Sequence, residues 1–364
     1  MIAELTNYLI CPQSDSELKL VPLEIMGDEI NTGLLFTESK EFFYPIINGI
    51  PRMLPDSLNY FGKEIKTYYS QLSNSLISRI EEYQKKEISK NNFNHIHSSF
   101  TFEWGKVNNS DFAWGRDINT RFSEFINRLD ISERVLNGSK ILDVGCGHGE
   151  IELGLLDREI EIFALDLSFS LDDLKERLKK FNPNPKAKVH LIQANVFNIP
   201  LRKIFNLVFC DGVLHHTPNT YIAFKSIVSK LCVNGKCFIM VYSSDHKNLI
   251  EKIVITLNSI ARKITIRLPH KFLYLIYMSL APLHWIYVNI YNKLSKSIRY
   301  TPRSIRETRL SLFDGFSPKF DWHHTTKEVF NWYNELSFRD VKKTFFNHTG
   351  IGIVGTLENK HNIL

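Results

Sequence analysis

Gly145, Gly147 and Gly149 alternate within the stretch ILDVGCGHGE, which covers Ile141 to Glu150. An apolar, strand-like run precedes them and a helix-forming pattern follows, so they sit in a turn between strand and helix. Glycines there let the backbone approach a ligand closely. The neighbouring side chains decide which ligand. A phosphate loop needs Lys and then Ser or Thr after its last glycine, but Glu150 and Ile151 follow Gly149. A dinucleotide fingerprint spaces its glycines GxGxxG, and these read GxGxG. Asp143 lies just before the turn and Glu150 just after it, and two carboxylates repel a pyrophosphate at a helix N-terminus. They suit a ligand that carries an ammonium and a sulfonium.

S-adenosylmethionine is such a ligand. Asp143 is expected to hold its amino group, directly or through water. Asp166 closes the next strand candidate, where a carboxylate accepts ribose hydroxyls, as it would for NAD. Gly145, Cys146, Gly147 and Gly149 are the expected turn contacts.

The elements that must position these residues come from alternation. After Lys140, strand candidates KILDV, EIFALD, KVHLIQA, FNLVFCDG and GKCFIMVYS interleave with helical LDDLKERLKKF and YIAFKSIVSKL. Such alternation predicts a parallel sheet with helices on both faces and ligands at the carboxyl ends of its strands. The pattern pauses near Ser244 and resumes with helical TTKEVFNWYNEL and the strand candidates FRDVKKTFF and GIVGTLE. The expected organisation is a small β-rich unit over 1–58, a helical linker and lid over 59–130, and a core over 131–364. That core carries an insertion at about 245–320.

Lys140 to Ser243 resembles the core of class I S-adenosylmethionine-dependent methyltransferases. ILDVGCGHG matches the family's first motif, Asp166 its second and FCDGVLHHTPN its fourth-strand motif, while QANVFNIP stands where the family contacts adenine. LCVNGKCFIMVYS is similar to its fifth strand. The third-strand position that is often Asp in the family is Asn195, and the resemblance implies further cofactor contacts at Leu167, Asn195, Val196 and Asp211. The resemblance implies an α/β fold with a Rossmann-like seven-stranded sheet, S-adenosylmethionine as cofactor, and methyl transfer by in-line displacement. The protein's share of that reaction is orientation, exclusion of water and, for a hydroxyl or phenol, removal of a proton.

His215 and His216 follow the fourth strand and are the candidate catalytic residues. His323 and His324, in FDWHHTTKEVF, are expected at the substrate pocket, with Trp104 and Arg116 of the lid segment. No metal is expected, because adjacent histidines do not face the same way and no Cys or acid cluster completes a site. The N-terminal LICPQSDSELKL…YPIINGIPRMLP resembles a zinc-ribbon-like family that activates methyltransferases. Cys11 alone remains of the usual first CxxC and Ser14 stands at the second position, so that unit is expected to hold no zinc.

The 364 residues carry a net charge of +6, 43% hydrophobic and 23% charged residues, ordinary for a globular chain. The N-terminus has no long apolar run, and the five cysteines are scattered. A cytoplasmic location, peripheral at the membrane, is therefore expected. Between Lys247 and Arg306 Glu251 stands as the one acid among many bases, and FLYLIYMSLAPLHWIYVNIYN inside that block has no charge. Pro282, His284 and two asparagines make it a poor membrane span. It reads as a pocket-covering helix or as a surface, over about 262–303, that touches a bilayer. An apolar centre suits nucleic acid poorly. The expected acceptor is a small-molecule or lipid- or glycan-linked metabolite. RNA or protein methylation and a non-catalytic scaffold are the alternatives.

Overall fold

The structure is a computed structural model that describes residues 1–88, 101–102, 117–245, 249–294, 304–347 and 349–358. Trp104 and Arg116 lie outside the described residues.

The chain begins with an antiparallel meander of β1 (Leu18–Met26), β2 (Glu29–Thr37), β3 (Phe43–Ile47) and β4 (Ile50–Pro51). Asn48 and Gly49, at φ 54° and 67°, supply the two positive angles that turn β3 into β4. Cys11 is buried in this unit with its Sγ 3.3 Å from the Tyr44 hydroxyl. The helices α1 (Ser57–Lys66) and α2 (Asn74–Ile88) set Leu58, Ile65, Leu76, Ile80 and Tyr83 against Leu34, Phe36 and Phe43 of the sheet.

Next come α3 (Ile118–Leu129), β5 (Lys140–Val144), α4 (Glu150–Leu155), β6 (Glu161–Asp166), α5 (Ser170–Phe181), β7 (Lys188–Gln193), β8 (Phe205–Asp211), α6 (Thr220–Val228) and β9 (Leu231–Ser243). The helices α7 (Leu249–Thr265), α8 (His270–Leu294) and α9 (Ile305–Phe316) then leave the sheet. The chain returns through β10 (His323–His324), α10 (Thr326–Glu335), β11 (Phe338–Phe346) and β12 (Gly350–Leu357). The large sheet runs β11-β12-β9-β8-β5-β6-β7, with β10 appended to β9. Strands β5 to β9 are parallel, and β12 is antiparallel between β9 and β11. This is the expected Rossmann-like sheet, with seven strands on its main path.

The order reverses between β5 and β8, which opens a crevice at the carboxyl ends of those strands. Fully buried Ile141, Leu142, Ile162, Phe163, Val208 and Phe209 explain why these strands read as unbroken apolar runs. Sequence periodicity misplaced one boundary. YIAFKSIVSKL predicts helix through Leu231, but α6 ends at Val228 and β9 already begins at Leu231. Asn234 at φ 63° then kinks the strand, so its first residues carry no strand-like alternation.

The N-terminal unit does not stand apart. Leu9 bridges Leu201, Arg52 bridges Gln193 in parallel, and Met53 N donates to Gln193 O at 2.7 Å. The meander thus covers β7, which would otherwise be an open edge. Met1, Leu5, Leu9, Tyr44 and Met53 share one apolar core with Phe163, Ile192 and Phe205. Arg52 seals the joint. It is fully buried, it is 2.6 Å from Asp172 Oδ1, and its guanidinium lies 4.9 Å from the Phe61 ring centroid. Arg52→Ala strands a carboxylate and opens a cavity. A loss of about 3 kcal/mol is expected, the low end for a broken buried pair because Asp172 is partly open to water. Urea unfolding measures it, and a loss no larger than that of an exposed Lys→Ala control would refute it.

Candidate active site at the carboxyl ends of the strands

The tips of β5, β6 and β8, with the loops after them, line a cleft of about 790 Å³. Gly145, Asp166, Leu167, Asn195, Val196, Asp211 and His216 are among its lining residues, beside Phe197, Val213 and Pro218. Gly145 has φ +77°, and a Cβ there would lie 2.2 Å from Val213 Cγ2. Only a residue without a side chain keeps that wall flat.

Asp166 holds the turn in shape. Its Oδ2 accepts from Gly147 N at 2.9 Å, and its Oδ1 accepts from Ser168 N at 2.8 Å and Ser168 Oγ at 2.7 Å. Asn195 Oδ1 accepts from Phe197 N at 3.0 Å, so the amide oxygen expected to meet adenine also closes its own loop. Gly145 N and Cys146 N both donate to Leu165 O. Asp143, Cys146, Gly147 and Gly149 do not line the cleft. Cys146 packs beside Ile50, Leu171 and Leu174, and Gly149 fits under Leu174, whose Cδ1 would lie 2.0 Å from an added Cβ.

Carboxylates gather behind the glycine turn. Asp143 is buried, and Glu152 is fully buried one helical step beyond Glu150. Burial is the largest cause that raises both groups, and the charge of Glu152 lifts Asp143 further. Glu152 is pushed up to about 7. Burial and mutual repulsion keep the two carboxyls from ionising together, so the pair holds a proton between them. Glu150, expected to repel anions, is instead matched by Arg121, whose Nε lies 2.9 Å from Glu150 Oε2. Asp211 is likewise paired, by Arg128 and by Arg121 Nη1 at 3.4 Å. Both arginines come from α3 and are organised by Glu124 at 3.0 and 3.2 Å. Among the described residues that line the cleft there is no Lys or Arg.

The adjacent histidines part ways. His216 lines the cleft; its Nδ1 is 2.9 Å from Phe320 O, and a carbonyl only accepts, so Nδ1 carries the hydrogen and Nε2 the lone pair. Burial lowers its pKa, which keeps the ring neutral near pH 7. His215 is fully buried outside the lining, stacked 3.8 Å from the Tyr242 ring with both ring nitrogens unpartnered, and burial holds it well below the usual range. His323 and His324 lie on β10, not in the cleft. His323 reaches Ser243 O and Asp321, while His324 is held by Glu328 at 2.8 Å and Thr220 at 3.0 Å and packs on Trp332. A pair expected at the substrate pocket is thus engaged in fastening β10 to its surroundings.

Several functional neighbours escaped the motif reading. Arg121, Glu124 and Arg128 fall on one helical face in INTRFSEFINRL, a spacing that could have flagged them. Asp314 of α9 could not have been found. It reaches back from the insertion to within 3.3 Å of the Tyr242 hydroxyl and 3.9 Å of His216 Nε2.

Residues 142–239 match a family model described as a methyltransferase domain. The ubiquinone biosynthesis O-methyltransferase of Schizosaccharomyces pombe is 25% identical over 39% of this chain and 53% of its own length. A tRNA U34 carboxymethyltransferase of Pseudoalteromonas atlantica is 26% identical over 57% of this chain and 62% of its own. The chain thus spans between about half and two thirds of these curated relatives. Among solved structures, a magnesium protoporphyrin IX methyltransferase of Synechocystis with bound SAH aligns at TM-score 0.44 and 9% identity, over 73% of this chain and 97% of that one. The chain carries a methyltransferase domain, and the cleft lies within it.

The buried acid pair makes a sign-specific prediction. A carboxyl raised in the folded state stabilises below its unfolded value and loses that stabilisation as pH rises through the folded one. For Glu152 that window runs from 4.5 to about 7. Across it the unligated protein should lose about 3 kcal/mol that Glu152→Gln does not lose. Urea unfolding over this range compares the two, and parallel pH curves would refute the shared proton.

Proposed function

We propose that this protein transfers a methyl group from S-adenosylmethionine to an oxygen, nitrogen or carbon of a small or lipid-linked metabolite. The observation that carries the reading is the cleft's composition. It has a side-chain-free wall at Gly145, a carboxylate at the end of β6 and apolar faces from Leu167, Val196 and Phe197, with no cation to meet a phosphate among its described lining residues. A cleft with that lining takes a nucleoside with a cationic tail.

When bound, the cofactor's sulfonium supplies an activated methyl carbon. Asp166 would accept from the ribose. It already has three donors, and a carboxylate offers about four acceptor positions, so the Ser168 hydroxyl would turn to Ser170 Oγ, already 2.7 Å away. Asn195, Val196 and Phe197 would face the base. Asp143 would meet the ammonium, an interaction that strengthens as the shared proton leaves. His216 Nε2, held as the lone-pair nitrogen by Phe320, would take the proton from an acceptor hydroxyl, with Tyr242 and Asp314 beside it. His215 serves as packing beneath Tyr242.

An RNA acceptor is the second reading, prompted by the tRNA-acting relative. Nucleic acid that survives nuclease and co-purifies would favour it. Calorimetric titration with S-adenosylmethionine tests the main reading. Binding by the wild type and a loss of at least about tenfold in Asp166→Ala are expected, with a smaller loss in Asp143→Ala, whose carboxyl lies outside the lining and shares a proton with Glu152. Absence of binding, or variants that bind like wild type, would sink it. His216→Gln should bind the cofactor within about threefold of wild type and slow transfer to a phenolic acceptor at least about a hundredfold.

A further inference from the structure

The helix α8 is apolar on two faces. Leu273, Tyr277 and Ala281 are buried, and Leu273 and Tyr277 pack with Phe313 of α9. On the other side Phe272, Leu275, Leu283, Ile286, Tyr287 and Ile290 are exposed, Leu283 by 66% and Leu275 by 58%. At about 100° per residue these six fall within an arc of roughly 120°, across the helix from the buried row. Leu257, Ile260 and Ile264 of α7 repeat the pattern at i, i+3 and i+7, each more than half exposed. A patch this large on a soluble protein marks an interaction surface. The charge around it indicates the partner. From Lys247 to Arg306 the chain has eleven Lys and Arg against Glu251 alone, and Lys263, Arg267 and Lys271 are exposed. Apolar side chains flanked by cations fit an anionic lipid surface.

The segment also touches the site. Asp314 of α9 reaches Tyr242 and His216, and Arg262 of α7 lies 2.6 Å from Asp321, next to β10. Residues His270–Ile290 are long and apolar enough to cross a bilayer. A crossing would strip Leu273 and Tyr277 from Phe313, and with it the anchor that brings Asp314 to the histidines.

We propose that the outer face of α8 lies in the interface of an anionic lipid bilayer, and that this docking delivers a membrane-dissolved acceptor to the cleft. The docking clause stands on the surface alone; the acceptor clause rests on the methyl-transfer reading above.

The test is co-sedimentation of the full chain with vesicles of phosphatidylcholine and phosphatidylglycerol, against phosphatidylcholine alone. Wild type should partition at least about tenfold better onto the anionic vesicles, with the preference shrinking at high salt. The triple variant Leu275→Gln, Leu283→Gln and Ile286→Gln changes only exposed positions. It should lose at least about tenfold in vesicle binding while keeping wild-type circular dichroism and S-adenosylmethionine affinity. Equal vesicle binding by wild type and variant would overturn docking. So would a wild-type dimer, by light scattering, that the variant dissociates, because a second copy would then cover the stripe. Vesicle binding without cofactor binding would sink the methyl-transfer reading and leave the docking clause intact.

Discussion

Charge balance at the tip of the sheet is the constraint on which the remainder depends. Asp143, Glu150, Glu152 and Asp211 crowd the carboxyl ends of β5 and β8, and Arg121 and Arg128 reach that corner from α3. Ionised together, these four acids and Glu124 against two guanidiniums would be untenable in a medium that screens so little. The structure answers in two ways. The two guanidiniums divide their charge among Glu124, Glu150 and Asp211, and part of the surplus is absorbed by a proton within the Asp143 and Glu152 pair. The helix α3 is therefore as much a part of the cleft as the glycine turn, although none of its side chains lines it.

That corner also explains what motifs could and could not reveal. The five parallel strands, the turn and Asp166 were legible because burial forces apolar runs and a close backbone approach forces glycine. The role of Glu150 was misjudged from sequence. Its charge was weighed against a ligand, but the structure spends it on Arg121, a partner 29 positions earlier. His323 and His324 illustrate the same limit. A histidine pair looks reactive in one dimension, but the two-residue strand β10 and its contacts with Glu328 and Thr220 occupy them. His215 and His216 keep their ring centroids 4.1 Å apart, and a single short turn after β8 decides that only His216 lines the cleft, which no spacing rule encodes.

The insertion links chemistry to surroundings. Its inner face contributes Asp314 and Arg262 to the neighbourhood of the cleft, and its outer face presents an exposed apolar row. The three helices of the insertion therefore meet two unrelated packing requirements, which is why α8 reads apolar nearly all round and defeats a simple amphipathic pattern.

The position of the two chain ends in the architecture has a consequence for how the molecule is made. The first fifty residues find their core partners at Phe163, Ile192 and Leu201, and the sheet's gap between β9 and β11 is filled by β12, the strand that follows them all. A ribosome delivers the early meander long before β7 exists to receive it, and a sheet with that gap stays open until β12 arrives. Folding must therefore wait for contacts of high sequence separation, which are slow to form. During that wait the apolar edges of β9 and of the meander stand exposed, so the growing chain is a natural client for chaperones.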